Sequence, residues 1–398
     1  MIAFLGLAIL HFVGSSIRMA LTRCGWRAAI TSPSSAWFAI AIGYACSLGV
    51  AGIGILIGLA FVVSQSAPHP DPLPPVGGRG RLSFFVLIAL VLARPLVPTQ
   101  WDEFVWLGKA RFESLGFGAG VIAALDPAQH VIPAGYPPLW PAAVGWISLG
   151  HDALSTHVLA ASLLVLLCAA TALEIFAPEK PRLLALAVLA STPLVWVHLR
   201  STYVDLPVGL LGLAVLGLLM RSPERPPLLA SLLALVLAGF KDEGLAQVLA
   251  ATGAALLVHR HWRLALPALV ALAAAATWRG LIASHGVPLF DHALGVPQWG
   301  WVPRFLQLFS LHATDLFSWG VFWAVVLAVL LMPARDSAAR ASRAMLLLLF
   351  VFTAAALLSG PERVRVFAEN GTLLNRLLLQ LWPCAALVVW RTLSVRTG

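Results

Sequence analysis

Charge is what this chain has least of. Only 11% of its 398 residues are Asp, Glu, Lys or Arg, while 60% are hydrophobic and the mean hydropathy is +0.89. A soluble globular domain carries roughly 25% charged residues. So little polar surface cannot cover a water-facing globule, which excludes a soluble enzyme and points to lipid as the solvent. Cysteine is scarce as well. Cys24, Cys46, Cys168 and Cys384 form no CxxC and no disulfide-framework spacing. Cys46, Cys168 and Cys384 lie in apolar runs, where they read as small packing residues. A long basic block is missing despite the net charge of +9. The basic residues stand in ones, twos and threes at the ends of apolar runs, as the cytoplasmic leaflet selects, so nucleic acid is excluded as a partner. The apolar/polar alternation of a membrane barrel is missing too. The opening MIAFLGLAILHFVGSSI has no basic residues before its apolar run and reads as a first span rather than a cleaved signal.

What is present is a series of continuous Leu- and Ala-rich runs. A span takes about 20 apolar residues, and on that measure the chain predicts an all-α polytopic membrane protein of about twelve transmembrane helices, near 1–17, 36–63, 82–98, 156–177, 182–199, 203–220, 226–240, 243–259, 262–283, 316–333, 344–360 and 377–393. Residues 1–63 read as an N-terminal helix pair. The Pro/Gly-rich stretch 64–81, SQSAPHPDPLPPVGGRGR, reads as a disordered cytoplasmic linker, because it cannot form a helix interior or bury a core. Residues 82–398 form the main body, with a large outer loop at 99–155 carrying amphipathic surface helices. Arg79/Arg81, Lys180/Arg182, Arg221/Arg225, Arg260/Arg263, Arg335/Arg340/Arg343 and Arg391/Arg396 alternate onto one side, which assigns that side to the cytoplasm. Arg18, Arg23 and Arg27 break the alternation. The loops holding Asp102, Arg200, Lys241, Asp291 and Arg376 then face outward.

Four outer segments interrupt the apolar background with charge. In WDEFVWLGKARFESLGFGAG, Asp102 and Glu103 open a helix whose Phe104, Trp106, Leu107 and Ala110 share an apolar face, with Lys109, Arg111 and Glu113 opposite. This suits a helix lying flat on the membrane surface. In HLRSTYVDLPVG, Asp205 stands where a loop enters a span, five residues after Arg200. In GFKDEGLAQ, Lys241, Asp242 and Glu243 break an apolar hairpin. In RVRVFAENGTLLNRLLLQLWP, Arg376 enters the last span. Each has a plain structural reading: an acidic helix start, an Asp205–Arg200 pair, a turn, a snorkelling arginine. Taken together they supply what sugar transfer from a lipid phosphate needs. Carboxylates can take a proton from an acceptor hydroxyl, and cations can hold a phosphate as it leaves.

At these residues the chain resembles the GT-C glycosyltransferases, in the branch of the protein O-mannosyltransferases and the lipid A aminoarabinose transferases. The acidic first-loop motif matches Asp102-Glu103, followed by a helix ending in Lys109-Ala110-Arg111. A "PPL" segment matches Tyr136-Pro137-Pro138-Leu139-Trp140, a second acidic position matches Asp205-Leu206-Pro207, and a lysine-containing turn matches Lys241-Asp242-Glu243-Gly244. The closing arginine pattern matches Asn375-Arg376 through Pro383. The resemblance implies a periplasmic or luminal active site that inverts the sugar as it moves from a polyprenyl-phosphate donor to an acceptor hydroxyl on a glycan, lipid or protein. It implies Asp102 as general base, Glu103 as its partner and Asp205 as second acid. Lys241 and Arg376, with Arg200 nearby, would bind the donor phosphate, and Tyr136, Pro137, Pro138, Trp140 and Glu243 would line the substrate loop. The chain departs from the pattern at Tyr136, where lipid A-modifying relatives carry Lys, and at Leu377, where they carry Tyr. Both departures argue against the aminoarabinose reaction itself.

Some relatives bind a divalent metal near the acids. Asp126, His130, His151, Asp291 and His292 are the outer residues of suitable type, and none has strict ligand spacing. Two other functions fit the composition. One is a transporter or lipid flippase, which would place charges near the bilayer midplane and show repeated halves. The other is a GT-C-like chain that binds lipid-linked sugars without transferring them. The bacterial inner membrane is the expected location.

Overall fold

The structure is a computed structural model that describes Ala8 and residues 35–47, 101–129, 135–176, 192–199, 201–221, 228–288, 294–334 and 336–393. The linker 64–81 and most of the N-terminal helix pair lie outside these residues. Among the described residues every regular element is helical. In chain order they are α1 (Ser35–Ser47), α2 (Trp101–Arg111), α3 (Ala119–Leu125), α4 (Leu139–Ile147), α5 (Leu154–Phe176), α6 (Pro193–Leu199), α7 (Asp205–Arg221) and α8 (Leu228–Phe240). The second half adds α9 (Asp242–His259), α10 (Leu266–Ser284), α11 (Val302–Ala313), α12 (Leu316–Trp319), α13 (Phe322–Leu330), α14 (Ser337–Ser359), α15 (Glu362–Glu369) and α16 (Thr372–Leu393).

Helix α7 is the hub. It packs against α5, α8, α9 and α16, while α8 also meets α10 and α9 also meets α14. Its 17 residues bury all but a few side chains, so it reads as apolar on every side. Four stretches among the described residues are long and apolar enough to cross a membrane: Leu154–Ala172, Trp262–Ser284, Ser337–Ser359 and Leu373–Leu393. The outer two faces of this set are bare. Leu269 and Leu272 on α10, and Leu347 and Val351 on α14, are exposed. Water would penalise such a surface and hydrocarbon would not.

Two elements differ from the sequence expectation. The run 316–333, expected as one span, is divided into α12 and α13 at Gly320, whose φ is +55°. Asp315 starts the break: its Oδ1 accepts from Phe317 N at 3.0 Å and its Oδ2 from Ser318 Oγ, so a capped short helix forms and a residue free to adopt positive φ ends it. The span expected at 344–360 begins seven residues earlier, because Asp336 caps α14 by accepting from Ala339 N at 2.7 Å.

The outer loop also differs. α2 buries three residues of its expected apolar face, Trp106, Leu107 and Ala110, but with Glu103 inside and Phe104 48% exposed. It packs against α4 rather than only against lipid. α4 itself is almost wholly buried. Glu113, expected on the polar face, is buried as well: its carboxylate accepts from Gly118 N (2.9 Å), Gly120 N (2.9 Å) and Trp146 Nε1 (2.7 Å).

Candidate active site

The first turn of α7 begins at Asp205, and the four residues before it are buried. The approach is pinned at Thr202. Its N–H donates to Glu103 Oε1 at 2.8 Å, and its carbonyl accepts from Trp140 Nε1 at 3.2 Å. The outer-loop acid and the tryptophan of the Tyr-Pro-Pro-Leu-Trp segment therefore hold the two peptide groups on either side of one residue, three ahead of Asp205. A buried carboxylate needs donors for its lone pairs, and here Glu103 spends an oxygen on backbone.

Asp205 is fully buried and its two oxygens are shared among three donors. Lys241 Nζ donates to Oδ1 at 2.8 Å, Gln380 Nε2 donates to Oδ1 at 2.7 Å, and Arg376 Nε donates to Oδ2 at 2.9 Å. Lys241 is the sole residue between α8 and α9, in extended conformation, and this one-residue joint directs its side chain across to α7. Its ammonium also meets Glu243 Oε1 at 2.8 Å. Burial alone would favour the neutral amine there, but the Asp205 and Glu243 carboxylates outweigh it and hold the ammonium above the ordinary lysine range. Asp242 and Glu243 occupy the first turn of α9, where the helix dipole favours negative charge, and Asp242 pairs with Arg279 at 2.7 Å.

Arg376 and Gln380 lie one turn apart on α16, which brings both onto the one carboxylate. The approach of α16 to α7 is close. A Cβ at Gly209 would stand 2.6 Å from the Gln380 carbonyl and 3.0 Å from the Pro383 ring. That carbonyl accepts from Gln247 Nε2 of α9 at 3.1 Å, so α7, α9 and α16 are joined by polar contacts in an otherwise apolar core.

Aromatic rings wall the cluster. The Arg376 guanidinium lies 5.1 Å from the Tyr203 ring, and Lys241 Nζ lies 5.8 Å from the Tyr136 ring. Tyr136 in turn packs on Trp106 with centroids 5.6 Å apart. Tryptophan N–H groups pin the residues just ahead of two of these side chains. Trp278 Nε1 donates to the Gly135 carbonyl at 3.0 Å, and Trp319 Nε1 donates to Asn375 Oδ1 at 3.2 Å.

The structure thus gathers Asp205, Lys241, Arg376 and Glu243 into one cluster, with Tyr136 as its wall and with Glu103 and Trp140 on Thr202, three residues ahead of Asp205. Pro137 and Pro138 are buried at the entry to α4. The backbone of Asp102 lies in the first turn of α2; its side chain and the whole of Arg200 lie outside the described residues. The cluster is closed rather than an open vestibule. Asp205 and Lys241 are buried, and Arg376 and Glu243, at 22% and 26% side-chain exposure, form its accessible edge. Gln380, Tyr203, Trp278 and Trp319 were not signalled by any motif. Gln380 falls i+4 from Arg376, and that spacing was the one available clue.

Of the metal-type residues, Asp126 accepts from Ala128 N and His151 from Ala153 N, while His130, Asp291 and His292 lie outside the described residues. Among the described residues no group of three or more His, Cys, Asp or Glu side chains could hold a metal ion.

Chemically, two cations converge on one carboxylate, one of them at an accessible edge. An arriving phosphate could take over the donors that Asp205 now occupies, with charge-assisted hydrogen bonds replacing like ones. Comparison of the chain with protein-family models, with curated proteins and with solved structures finds no match.

Proposed function

We propose that this chain is a membrane glycosyltransferase of the GT-C type, with about twelve spans and its active site on the periplasmic side, moving a sugar from a polyprenyl-phosphate donor to an acceptor hydroxyl with inversion. The observation that supports this reading is the meeting of Lys241 and Arg376 on Asp205, three residues from three separate parts of the sequence. Sugar transfer from a lipid phosphate calls for paired cations beside the leaving group, and this pair is held ready by a carboxylate rather than left to repel.

The roles of the cluster residues are argued from the geometry, and that of Asp102 from the resemblance alone. Lys241 and Arg376 bind the donor phosphate. Asp205, with both oxygens committed to donors, is a positioning residue for the two cations rather than a proton acceptor. Glu103 and Trp140 position Asp205 through the backbone N–H and C=O of Thr202. The base is Asp102, at the start of α2. It takes the proton from the acceptor hydroxyl as the acceptor oxygen bonds to the anomeric carbon. The carbon–oxygen bond to phosphate breaks, and polyprenyl phosphate leaves with the electron pair.

The test is release of polyprenyl phosphate from a sugar-charged lipid by purified protein in nanodiscs, with Asp102→Asn in parallel. Release by the wild type and its loss in Asp102→Asn, with donor binding retained, is the expected result. Undiminished release by Asp102→Asn removes that residue from the mechanism, and no release from any polyprenyl-phosphate sugar tested removes the transfer reading.

One observation favours a transporter or flippase instead. The Asp205–Lys241–Arg376 group is sealed from solvent on two of its three members, and buried ionisable residues in membrane bundles also serve substrate or proton passage. Movement of a lipid-linked sugar across sealed vesicles without release of polyprenyl phosphate is the outcome that reading requires. Binding of the lipid-linked sugar with neither release nor movement would leave a non-catalytic binder.

A further inference from the structure

His198, near the end of α6, is an ionisable side chain with no part in the roles assigned so far. It is 6% exposed, and its Nδ1 is shut from water with no hydrogen-bond partner among the described residues. A buried polar atom left unpaired costs free energy, and native structures rarely keep one without a use. The turn after it fixes its position. The His198 carbonyl accepts from Ser201 N at 3.2 Å and from Ser201 Oγ at 3.1 Å, and the next residue is Thr202, where Glu103 and Trp140 attach.

The surroundings of the ring are charged. Among the described residues, Asp205, Arg376 and Glu103 lie within its electrostatic reach. α6 packs against α7, which supplies that Asp205, and against α12, whose Leu316, Phe317, Ser318 and Trp319 include no titratable group. Tyr203 links His198 to the cluster. Its ring lies 5.2 Å from the His198 ring and 5.1 Å from the Arg376 guanidinium.

Charge balance gives the histidine a task. At rest the Asp205 and Glu243 carboxylates balance Lys241 and Arg376. The His198 ring then rests neutral, with one N–H to satisfy rather than two. A phosphate that draws Arg376 to itself leaves the fully buried Asp205 short of a counter-charge, which a buried carboxylate tolerates poorly. An imidazolium at His198 restores it, and the aromatic ring alongside favours a cation there.

We propose that His198 is the proton-taking partner of this site: when a phosphodiester engages Lys241 and Arg376, His198 takes a proton from solvent and replaces Arg376 as the counter-charge to Asp205. The inference rests on the reading of Lys241 and Arg376 as the donor-phosphate ligands. It couples two binding events, so phosphodiester and proton each raise the affinity for the other by the same factor.

Tritiated farnesyl methyl phosphate is a suitable probe, because a phosphodiester keeps the same charge from pH 5 to 8. Its affinity for the full chain in phosphatidylcholine nanodiscs should rise about tenfold as pH falls across that range, the effect of an added charge within a few ångströms of an ionisable group. Binding should also withdraw protons from a weakly buffered solution. His198→Gln and His198→Asn keep a polar atom near Nε2 and Nδ1 respectively and cannot take up the proton. Either variant that melts as a folded protein should bind with a flat pH profile and no uptake. Saturable binding by the wild type with a flat profile and no uptake overturns the role of His198 and leaves the donor site standing. A pH dependence retained in the variants assigns the proton to another group and also overturns it. Wild-type protein without saturable binding at any pH, or binding that survives Lys241→Met unchanged, overturns the donor site and this inference with it.

Discussion

Arg376 Nε donates to Asp205 Oδ2 at 2.9 Å across 171 positions of sequence, and this contact ties α16 to the hub helix α7 at the level of the candidate site. Lys241 completes it from the α8–α9 joint. Three helical units therefore share one buried carboxylate. Stability and function depend on the same side chain there, and each substitution must be read for both.

Asp205→Asn removes the counter-charge from two cations at once. Loss of one partner from a buried ion pair costs about 3–5 kcal/mol, so the variant should melt well below wild type in detergent and lose donor binding. Lys241→Met relieves the buried charge but leaves Arg376 as a pair with Asp205. It should stay folded, losing donor affinity by more than tenfold in equilibrium binding. Wild-type affinity in Lys241→Met would remove that lysine from the donor site.

Gly209→Ala tests the seam between α7 and α16 without touching a charge. Its new methyl would meet the Gln380 carbonyl and the Pro383 ring. Overpacking of this kind costs about 1–3 kcal/mol, and displacement of α16 should carry Arg376 away from Asp205. Gly108→Ala is the control: nothing lies within 4 Å of its added Cβ, and replacing a mid-helix glycine should stabilise by about 0.5–1 kcal/mol. Thermal melts of the two variants should move in opposite directions.

Tyr136→Phe keeps a ring for Lys109 and Lys241, whereas Tyr136→Leu removes it. Cation–π contacts at partly desolvated sites are worth about 0.5–2 kcal/mol each. Donor binding should change by less than threefold in the Phe variant and fall by about tenfold in the Leu variant. Equal losses in both would assign the effect to the hydroxyl instead.

Glu113 predicts a pH dependence. Burial raises its carboxyl above the ordinary value of 4.5, against the pull of its Gly118, Gly120 and Trp146 donors. Between that value and the raised one, the folded protein keeps a proton that the unfolded chain has lost. Stability therefore falls as pH rises across that window and levels off above it. Melting temperatures of wild type minus Glu113→Gln, taken from pH 4 to 8, should decline and then flatten. A difference that rises with pH would mean the carboxyl is held below its ordinary value.

The helical class and four stretches long and apolar enough to cross a membrane were legible in the apolar runs, because a helix in lipid must satisfy its backbone internally and advertises that with length and composition. The charged interruptions were legible for the same reason. In so apolar a background, Asp205, Lys241 and Arg376 stand out as residues that cost too much to bury without a partner. Their partners were another matter. The plain reading paired Asp205 with Arg200, which lies outside the described residues; among the described residues its charged partners stand 36 and 171 positions away. The burial of Glu103 in place of Phe104 was hidden as well. Phe104 and Glu103 are adjacent, and a pattern that sends apolar residues inward chooses the phenylalanine. The acid is buried instead, because Thr202 N waits for it.

By itself the sequence determined that this chain is helical, that most of its surface is too apolar for water, and that its few charges had to be gathered or solvated. Tertiary structure alone decided which charges meet, which are buried, and that Gln380, Tyr203 and three indole N–H groups hold them in place. The reason is physical. Burial of apolar surface is proportional to area and indifferent to partner, so composition reports it, whereas a hydrogen bond exists only at a distance and an angle that the packed helices create.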